Sequence, residues 1–273
     1  MNARPVGEAQ FSGSIPEIYD KYLVPLIFEP YAIDLAQRAA DLPISNVLEL
    51  AAGTGVLTRR LAMALPGSVF IIATDLSQPM LDLAASVGTS RPVEWRQADA
   101  LALPFDKGRF DAVVCQFGVM FFADKVRAFA EVRRVLRRGG VFIFNVWDRI
   151  EENEFALTVT EALARVFPGD PPRFMSRVPH GYHDTATIRR DVSWGGFSSE
   201  PEVVTLAARS LAASAHIAAV AFCMATPLRD EIETRDPAKL GMATDAVEAA
   251  LVERFGSAAV DAKIQAHIVS VEC

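Results

Sequence analysis

A doubly wound α/β domain is the fold class this sequence predicts, on three observations. Strand-like and helix-like patterns alternate from residue 46 to residue 147. The strand patterns are nearly continuously apolar, as a parallel sheet covered on both faces requires. The first of them also runs directly into a glycine turn that opens a helix. A chain of 273 residues suits one large domain, or one domain with a small cap, and 51% hydrophobic residues supply a sizeable core.

In order along the chain, residues up to about 13 look frayed. Ser14-Ile-Pro-Glu17 reads as a helix start: a serine cap, proline in the first turn and a glutamate three residues on. Residues 15–40 then read as two short helices broken near Pro25 or Pro30. Strands are expected at 47–51, 69–74, 93–97, 110–116 and 141–147. Helices fill the gaps at 55–65, 78–86 and 124–136, where apolar residues recur at helical spacing. After Trp147 the alternation changes. A helix is expected at 153–167. Pro168-Gly-Asp-Pro-Pro172 then opens an irregular stretch to Asp184. A helix at 185–194 leads through Gly195-Gly196-Phe197 to a strand at 202–207. Helical segments fill roughly 212–260, and 264–271 reads as a final strand. The domain limits expected are 1–41 for an N-terminal helical lid, 42–150 for the α/β core, and 151–273 for the rest of the sheet domain with helical cap insertions.

Composition narrows the function. Lys and Arg number 27 against 34 Asp and Glu, a formal charge of −7, which argues against a nucleic-acid partner. The one basic cluster, Arg133-Arg134 with Arg137-Arg138, has the spacing of a solvated helix face. Cys115, Cys223 and Cys273 are odd in number and far apart, so neither disulfides nor a metal site follow. The N-terminus shows no apolar signal core, so a cytoplasmic location is expected. The apolar run 211–227 contains His216 and falls short of the ~20 residues of a bilayer span, so it reads as a buried cap helix.

The chemistry begins at Val47-Leu-Glu-Leu-Ala-Ala-Gly-Thr-Gly-Val-Leu-Thr58. Gly53 and Gly55 let the backbone turn tightly and approach a ligand. Glu49 sits inside the preceding strand, where a buried acid needs a partner. A plain dinucleotide loop does not need that acid, whereas a ligand bearing an ammonium does. That points to S-adenosylmethionine (SAM), whose methionine end also carries a carboxylate for the helix N-terminal amides. Asp75 ends the second strand, where it can accept both ribose hydroxyls. Asp99 ends the third and can accept from the adenine amino group, while the Ala100 amide donates to the ring. Gln116 and Phe117 end the fourth, beside the place for the sulfonium.

Taken together, these segments resemble the class I SAM-dependent methyltransferases, in particular the small-molecule group that includes ubiquinone/menaquinone-biosynthesis-type enzymes. Glu49-Leu-Ala-Ala-Gly-Thr-Gly55 resembles the family's first motif, and Asp75-Leu-Ser-Gln-Pro-Met-Leu81 the acidic loop after the second strand. Asp99-Ala100, Leu103-Pro104-Phe105, Phe110-Asp111 and Val135-Leu-Arg-Arg-Gly-Gly140 resemble later segments in the family's order. The resemblance implies a Rossmann-like sheet of seven strands, the last antiparallel, with a helical lid before it and a helical insertion between its last two strands. It implies SAM as cofactor, S-adenosylhomocysteine as product, and a cofactor site at Tyr19, Glu49, Ala51, Gly53, Gly55, Asp75, Leu76, Met80, Asp99, Ala100, Gln116 and Phe117. Ala51 stands where many members carry a glycine, which reads as a slightly wider turn. No Asn/Asp-Pro-Pro-Tyr follows the fourth strand, so methylation of DNA bases is not expected.

Each reading has a plainer rival. Asp75 can cap a helix, Asp99 can form an Asx turn, and Tyr19 can simply pack an amphipathic helix. His180-Gly-Tyr-His183 offers His180, His183 and Tyr182 as candidate bases, against a structural role; with no third ligand, no metal is expected. The acceptor pocket is expected at 167–184 and 211–240, floored by Phe117, Met120 and Phe121, with a small, partly apolar acceptor. A homodimer interface is the rival use of those helices. The rival functions are a methyltransferase acting on protein or RNA, an NAD-dependent oxidoreductase, suggested by Gly53-Thr-Gly55 followed by Asp75, and a cofactor-binding protein without catalysis.

Overall fold

The computed structural model describes residues 15–273, so the cap expected at Ser14 lies outside the described residues. Seven strands form one sheet: β1 (Asn46–Leu50), β2 (Phe70–Asp75), β3 (Glu94–Gln97), β4 (Phe110–Gln116), β5 (Leu136–Trp147), β6 (Glu202–Ala212) and β7 (Val260–Glu272). Their order is β3-β2-β1-β4-β5-β7-β6. β1 to β5 pair in parallel, and β7 runs antiparallel to both of its neighbours. The chain winds outward from β1 to β3 and then returns to β1's other side as β4. The carboxyl ends of β1 and β4 therefore part into a crevice, where ligands of such sheets bind.

The helices packed around the sheet are α1 (Ile15–Ile18), α2 (Glu29–Ala40), α3 (Val56–Ala64), α4 (Gln78–Val87), α5 (Lys125–Val135), α6 (Glu154–Val166), α7 (Phe174–Arg177), α8 (Thr185–Trp194), α9 (Ala215–Met224), α10 (Leu228–Arg235) and α11 (Leu240–Phe255). Local chemistry marks several starts. Asp124 accepts from the Arg127 amide to cap α5, Asp184 from the Thr187 amide to cap α8, and Ser214 from the Ile217 amide to cap α9.

The N-terminal stretch departs from the expected pair of broken helices. α1, a π-helical segment at Tyr19–Phe28 and α2 form one continuous helical run. Pro25 is carried inside the widened turns, and Pro30 lies at the junction where the π-helical stretch passes into α2. Of this expected lid, α2 is part of the core: Tyr31, Ala32, Leu35 and Ala39 are fully buried, and the helix packs on β4, β5 and α3. Two ion pairs fasten the run to α3, Asp20 with Arg59 and Glu29 with Arg60.

β6 and β7 are both longer than expected. Val260, Ala262, Ile264 and Ala266 are buried, and the polar residues Asp261, Lys263 and Gln265 alternate with them. This is a period of two hidden by small alanines. Leu136 pairs with Phe110, so β5 starts before the glycines that were expected to precede it. The irregular stretch after Pro172 contains the short helix α7.

Candidate active site

At the carboxyl ends of β1, β2 and β4 lies a cleft of about 250 Å³. Tyr19, Ala51, Gly53, Asp75, Leu76, Met80, Asp99, Ala100, Gln116 and Phe117 line it, together with Ser77, Gly118 and Phe121. Ten of the twelve residues expected at a cofactor site thus line one wall. Of the other two, Glu49 lines a smaller adjoining cavity of about 20 Å³, with Tyr19, Gly53, Thr54 and Gln116. Gly55 lines neither. Its φ of 84° starts α3, and a Cβ there would come within 3.0 Å of the Trp95 ring, so its glycine serves the turn and the packing beneath it.

The glycine turn is held by Asp75. One carboxylate oxygen accepts from the Gly53 amide and the other from the Ser77 amide, each at 2.8 Å. Asp75 is therefore a brace between two loops, with lone pairs left over for a ligand. Burial raises its pKa, against the pull of those amides. Asp99 is exposed and accepts from the Leu101 amide at 2.8 Å, which is the Asx turn of the plainer reading, while its second oxygen stays available to the cleft.

Glu49 is 1% exposed, and its Oε2 has no hydrogen-bond partner among the described residues. Burial pushes its carboxyl up to about 8, against the opposing influence of nearby Thr58 and of the Arg59 charge. The Thr54 hydroxyl and Gln116 Oε1, which line the same small cavity, are also buried without partners. Buried polar atoms are almost always satisfied, so three around one cavity mark a place that a ligand completes. Their chemistry is acceptor-rich, as an ammonium requires. The Tyr19 hydroxyl is shifted upward by burial and by Asp75, so it stays protonated as a donor.

Two non-glycine residues adopt left-handed backbone here, Ala51 with φ 52° and Phe117 with φ 50°. The expected wider turn at Ala51 is instead a left-handed one, of the kind glycine adopts without strain. Gly118 lies against it: a Cβ there would sit 2.5 Å from the Ala51 Cβ and 2.7 Å from the Cys115 sulfur. Asn145, fully buried on β5, accepts from the Phe117 amide at 2.8 Å and fixes that conformation. Sequence reading missed Asn145; a lone asparagine in an otherwise apolar strand was the available signal.

A second cavity, of about 70 Å³, adjoins the first across Tyr19, Phe117 and Phe121. Leu23, Ile27 and Phe28 come from the π-helical segment, Met120 from the turn after β4, and Trp147 from the end of β5. Phe174, Met175 and Pro179 come from the expected 167–184 stretch, and Phe222, Thr226 and Pro227 from the expected 211–240 stretch. The floor expected from Phe117, Met120 and Phe121 is present. Phe117 and Trp147 stack at 3.8 Å with 9° between planes, and Tyr31 meets both edge-on. Gln116 Nε2 donates to the Phe28 carbonyl at 2.9 Å, tying the chamber roof to β4.

The candidate bases lie elsewhere. His180, His183 and Tyr182 line neither cavity. His180 is buried, its Nδ1 meets the Asp148 carbonyl at 2.8 Å, and burial depresses its pKa to about 4. The His183 Nδ1 meets the His180 carbonyl, and the Tyr182 hydroxyl donates to Asp191 at 3.0 Å. All three brace the loop that presents Met175. Two of the four clustered arginines are engaged within the fold: Arg134 binds Glu131 and the carbonyls of Leu103 and Phe105, and Arg137 pairs with Asp111. Among the described residues no group of three His, Cys, Asp or Glu is placed to hold a metal, and no helix is long and apolar enough to cross a membrane.

Comparison with known proteins agrees with this geometry. Residues 48–144 match the methyltransferase domain family. Over 139 residues the chain is 38% identical to the demethylmenaquinone methyltransferase of Thermus thermophilus, which covers 50% of this chain and 61% of that relative. The chain thus spans under two thirds of the relative's length. The fold is that of phosphoethanolamine N-methyltransferase 2 from Haemonchus contortus, solved with phosphomonomethylethanolamine and S-adenosylhomocysteine (TM-score 0.54, 16% identity, 89% of this chain and 52% of that one). It is also that of the [4+2]-cyclase SpnF (TM-score 0.52, 18% identity, 88% of this chain and 80% of that one). The fold by itself therefore leaves the reaction open, and the site has to supply the argument.

Proposed function

We propose a reaction for a chain whose residues 48–144 are a methyltransferase domain of the class I, SAM-dependent type: methyl transfer from SAM to a small, partly apolar molecule. The observation that carries this reading is the buried Glu49 carboxyl with an unpartnered oxygen, beside the Gly53 turn and opening toward the cleft. A buried acid with no cation near enough to pair it calls for a cationic ligand. The methionine ammonium fits that role.

In this reading Glu49, Thr54 and Gln116 hold the methionine end. Asp75 takes the ribose hydroxyls on the lone pairs that Gly53 and Ser77 leave free. Asp99 and the Ala100 amide meet the adenine, and Leu76 and Met80 flank it. When bound, SAM supplies a sulfonium methyl that is already electrophilic. The chain's own work is alignment and exclusion of water. Phe117, locked by Asn145, stands between cleft and chamber and sets the approach of the acceptor. The chamber wall of Phe28, Trp147, Phe174 and Met175 accepts apolar surface. His180, Tyr182 and His183 line neither cavity, so this reading assigns them no proton transfer.

Calorimetry with SAM, S-adenosylhomocysteine and NAD tests the cofactor. Micromolar binding of the first two and none of NAD is expected, and tighter binding of NAD would overturn the reading. Mass spectrometry of candidate acceptors incubated with SAM tests the reaction. Methylation of protein or RNA instead of any small molecule would replace the acceptor class, and binding without turnover on any acceptor would leave a cofactor-binding protein.

A further inference from the structure

A third cavity, of about 200 Å³, opens to the surface between α7 and α10. Phe174, Arg177, Pro227, Asp230, Glu231, Thr234 and Arg235 line it. Two of these, Phe174 and Pro227, also line the aromatic chamber. One ring and one proline therefore have a polar, surface-open pocket on one side and the apolar chamber on the other.

The segment bearing Phe174 is pinned by a single carboxylate. Glu231 Oε2, on α10, accepts from the amides of Arg173 and Phe174 at 2.8 and 3.1 Å. Its Oε1 accepts from the Arg177 guanidinium at 2.8 Å. Arg235, one turn on along α10, donates to the Asp170 and Pro171 carbonyls and to the Glu231 carbonyl. The side-chain bonds from α10 to this segment fall on residues 170–177, and the His180 amide adds one to the Met175 carbonyl. Phe174 and Met175, the two chamber residues on that segment, are buried at 3% and 5% exposure. α7 is only four residues long, so outside these pins it has little local structure to hold it in place.

We propose that the acceptor reaches the chamber through the polar pocket between α7 and α10, that Phe174 is the wall it displaces, and that Glu231 is the latch holding that wall shut. This rests on the aromatic chamber being the acceptor site. The cofactor uses the opposite side of Tyr19 and Phe117, so the two ligands reach the reaction point from different faces. The polar pocket also selects. A molecule with an apolar reacting end and a polar trailing end can leave the second among Arg177, Asp230 and Arg235 while the first passes Phe174. Glu231 is thus a positioning residue, acting through the segment it holds.

The test needs no known acceptor. Trp147 lines the chamber at 5% exposure. In a W95F/W194F background it is the one tryptophan left, and quenching of its fluorescence by acrylamide reads how often the chamber opens. We expect Glu231→Ala and Phe174→Ala each to raise the quenching constant at least threefold, with Glu231→Gln between them and the parent. Breaking an ion pair remote from the chamber, by Glu200→Ala at Arg189, should leave it unchanged. S-adenosylhomocysteine affinity should stay within threefold of the parent in every variant. Unchanged quenching in folded Glu231→Ala and Phe174→Ala proteins overturns the proposed route. An equal rise in Glu200→Ala also overturns it, because general loosening then explains the effect. Failure of the parent to bind SAM would instead sink the methyltransferase reading and leave the quenching result intact.

Discussion

On one side of Tyr19 lie buried polar atoms without partners; on the other lies a chamber walled by aromatic rings. The cofactor cleft is made by backbone: strand ends, a glycine turn, and left-handed residues at Ala51 and Phe117, braced by Asp75 and Asn145. The chamber is made by side chains arriving from the π-helical segment, β5, α7 and α9. The difference teaches how specificity is divided. A site built from backbone is fixed by a few short motifs and suits a ligand that does not change. A site built from side chains can be altered one residue at a time without disturbing the sheet.

If that division is right, substitutions on the two sides should fail differently, and the largest effect belongs to Asp75. Asp75→Ala removes ligand contacts and also frees the Gly53 and Ser77 amides. With charge-assisted bonds at roughly 1.5–3 kcal/mol each, about a hundredfold loss of S-adenosylhomocysteine affinity is expected by calorimetry. Near-parental affinity in a folded variant would remove Asp75 from the site.

Met175→Ala probes the other side. It empties volume in a packed wall, for which roughly 2–5 kcal/mol of stability is typical. Denaturant unfolding should show that loss, and turnover should change severalfold in acceptor KM, with cofactor affinity held within threefold. Collapse of cofactor binding would merge the two sides. Tyr182→Phe serves as the contrast, since its hydroxyl reaches only Asp191. It should cost about 1 kcal/mol of stability and leave acceptor kinetics alone.

Glu49 sharpens the cofactor side through pH. Its carboxyl is raised from 4.5 to about 8, so the native state holds the proton more tightly than the unfolded chain. The stabilisation this gives is full below pH ~4.5 and is lost as pH rises through about 8. Ligand-free protein should therefore lose stability over that window, and Glu49→Gln should flatten the loss. Binding of an ammonium favours the carboxylate, so near pH 7 the parent should release a fraction of a proton on binding SAM. Calorimetry in buffers of different ionisation enthalpy reads that release. Its persistence in Glu49→Gln would assign it to another group. The same substitution should weaken SAM about tenfold.

The smallest effect expected is at Ala51. Glycine would relieve a left-handed strain of about 1–2 kcal/mol and add roughly 0.5–1 kcal/mol of chain entropy on unfolding. Ala51→Gly should therefore gain about 0.5–1 kcal/mol in chemical denaturation. A loss would mean that the methyl group's packing against Gly118 outweighs its strain.

The same division decides what the sequence could reveal. Glu49, the glycine turn, Asp75, Asp99 and the strand order around them are local signals, each an acid or glycine at a strand end. The chamber was legible only as two stretches, 167–184 and 211–240. Its inner wall depends on Phe28 joining Leu23 and Ile27, and Leu23 to Phe28 is the i,i+5 spacing of a π-helical turn, which falls outside the 3.6-residue period. His180 and Tyr182 misled because aromatic and imidazole groups in an irregular stretch look alike whether they face a ligand or a backbone carbonyl. The start of β7 was hidden because alternating alanines carry too little hydrophobic contrast to announce a strand, and the end of β6 because it buries Ser210 and exposes Leu211.

The place of β7 bears on how the molecule is made. Among the described residues β6 has β7 as its sole strand partner, and β5 has it as its second, yet residues 213–259 lie between β6 and β7 in the chain. At about 5–20 residues per second of synthesis, β6 waits several seconds with both of its edges unpaired. During that interval the parallel half from β1 to β5 can already have assembled, leaving the edge of β5 open as well. A nascent chain halted there presents two strand edges of matching length and apolar character. Those edges are where neighbouring copies would pair with one another.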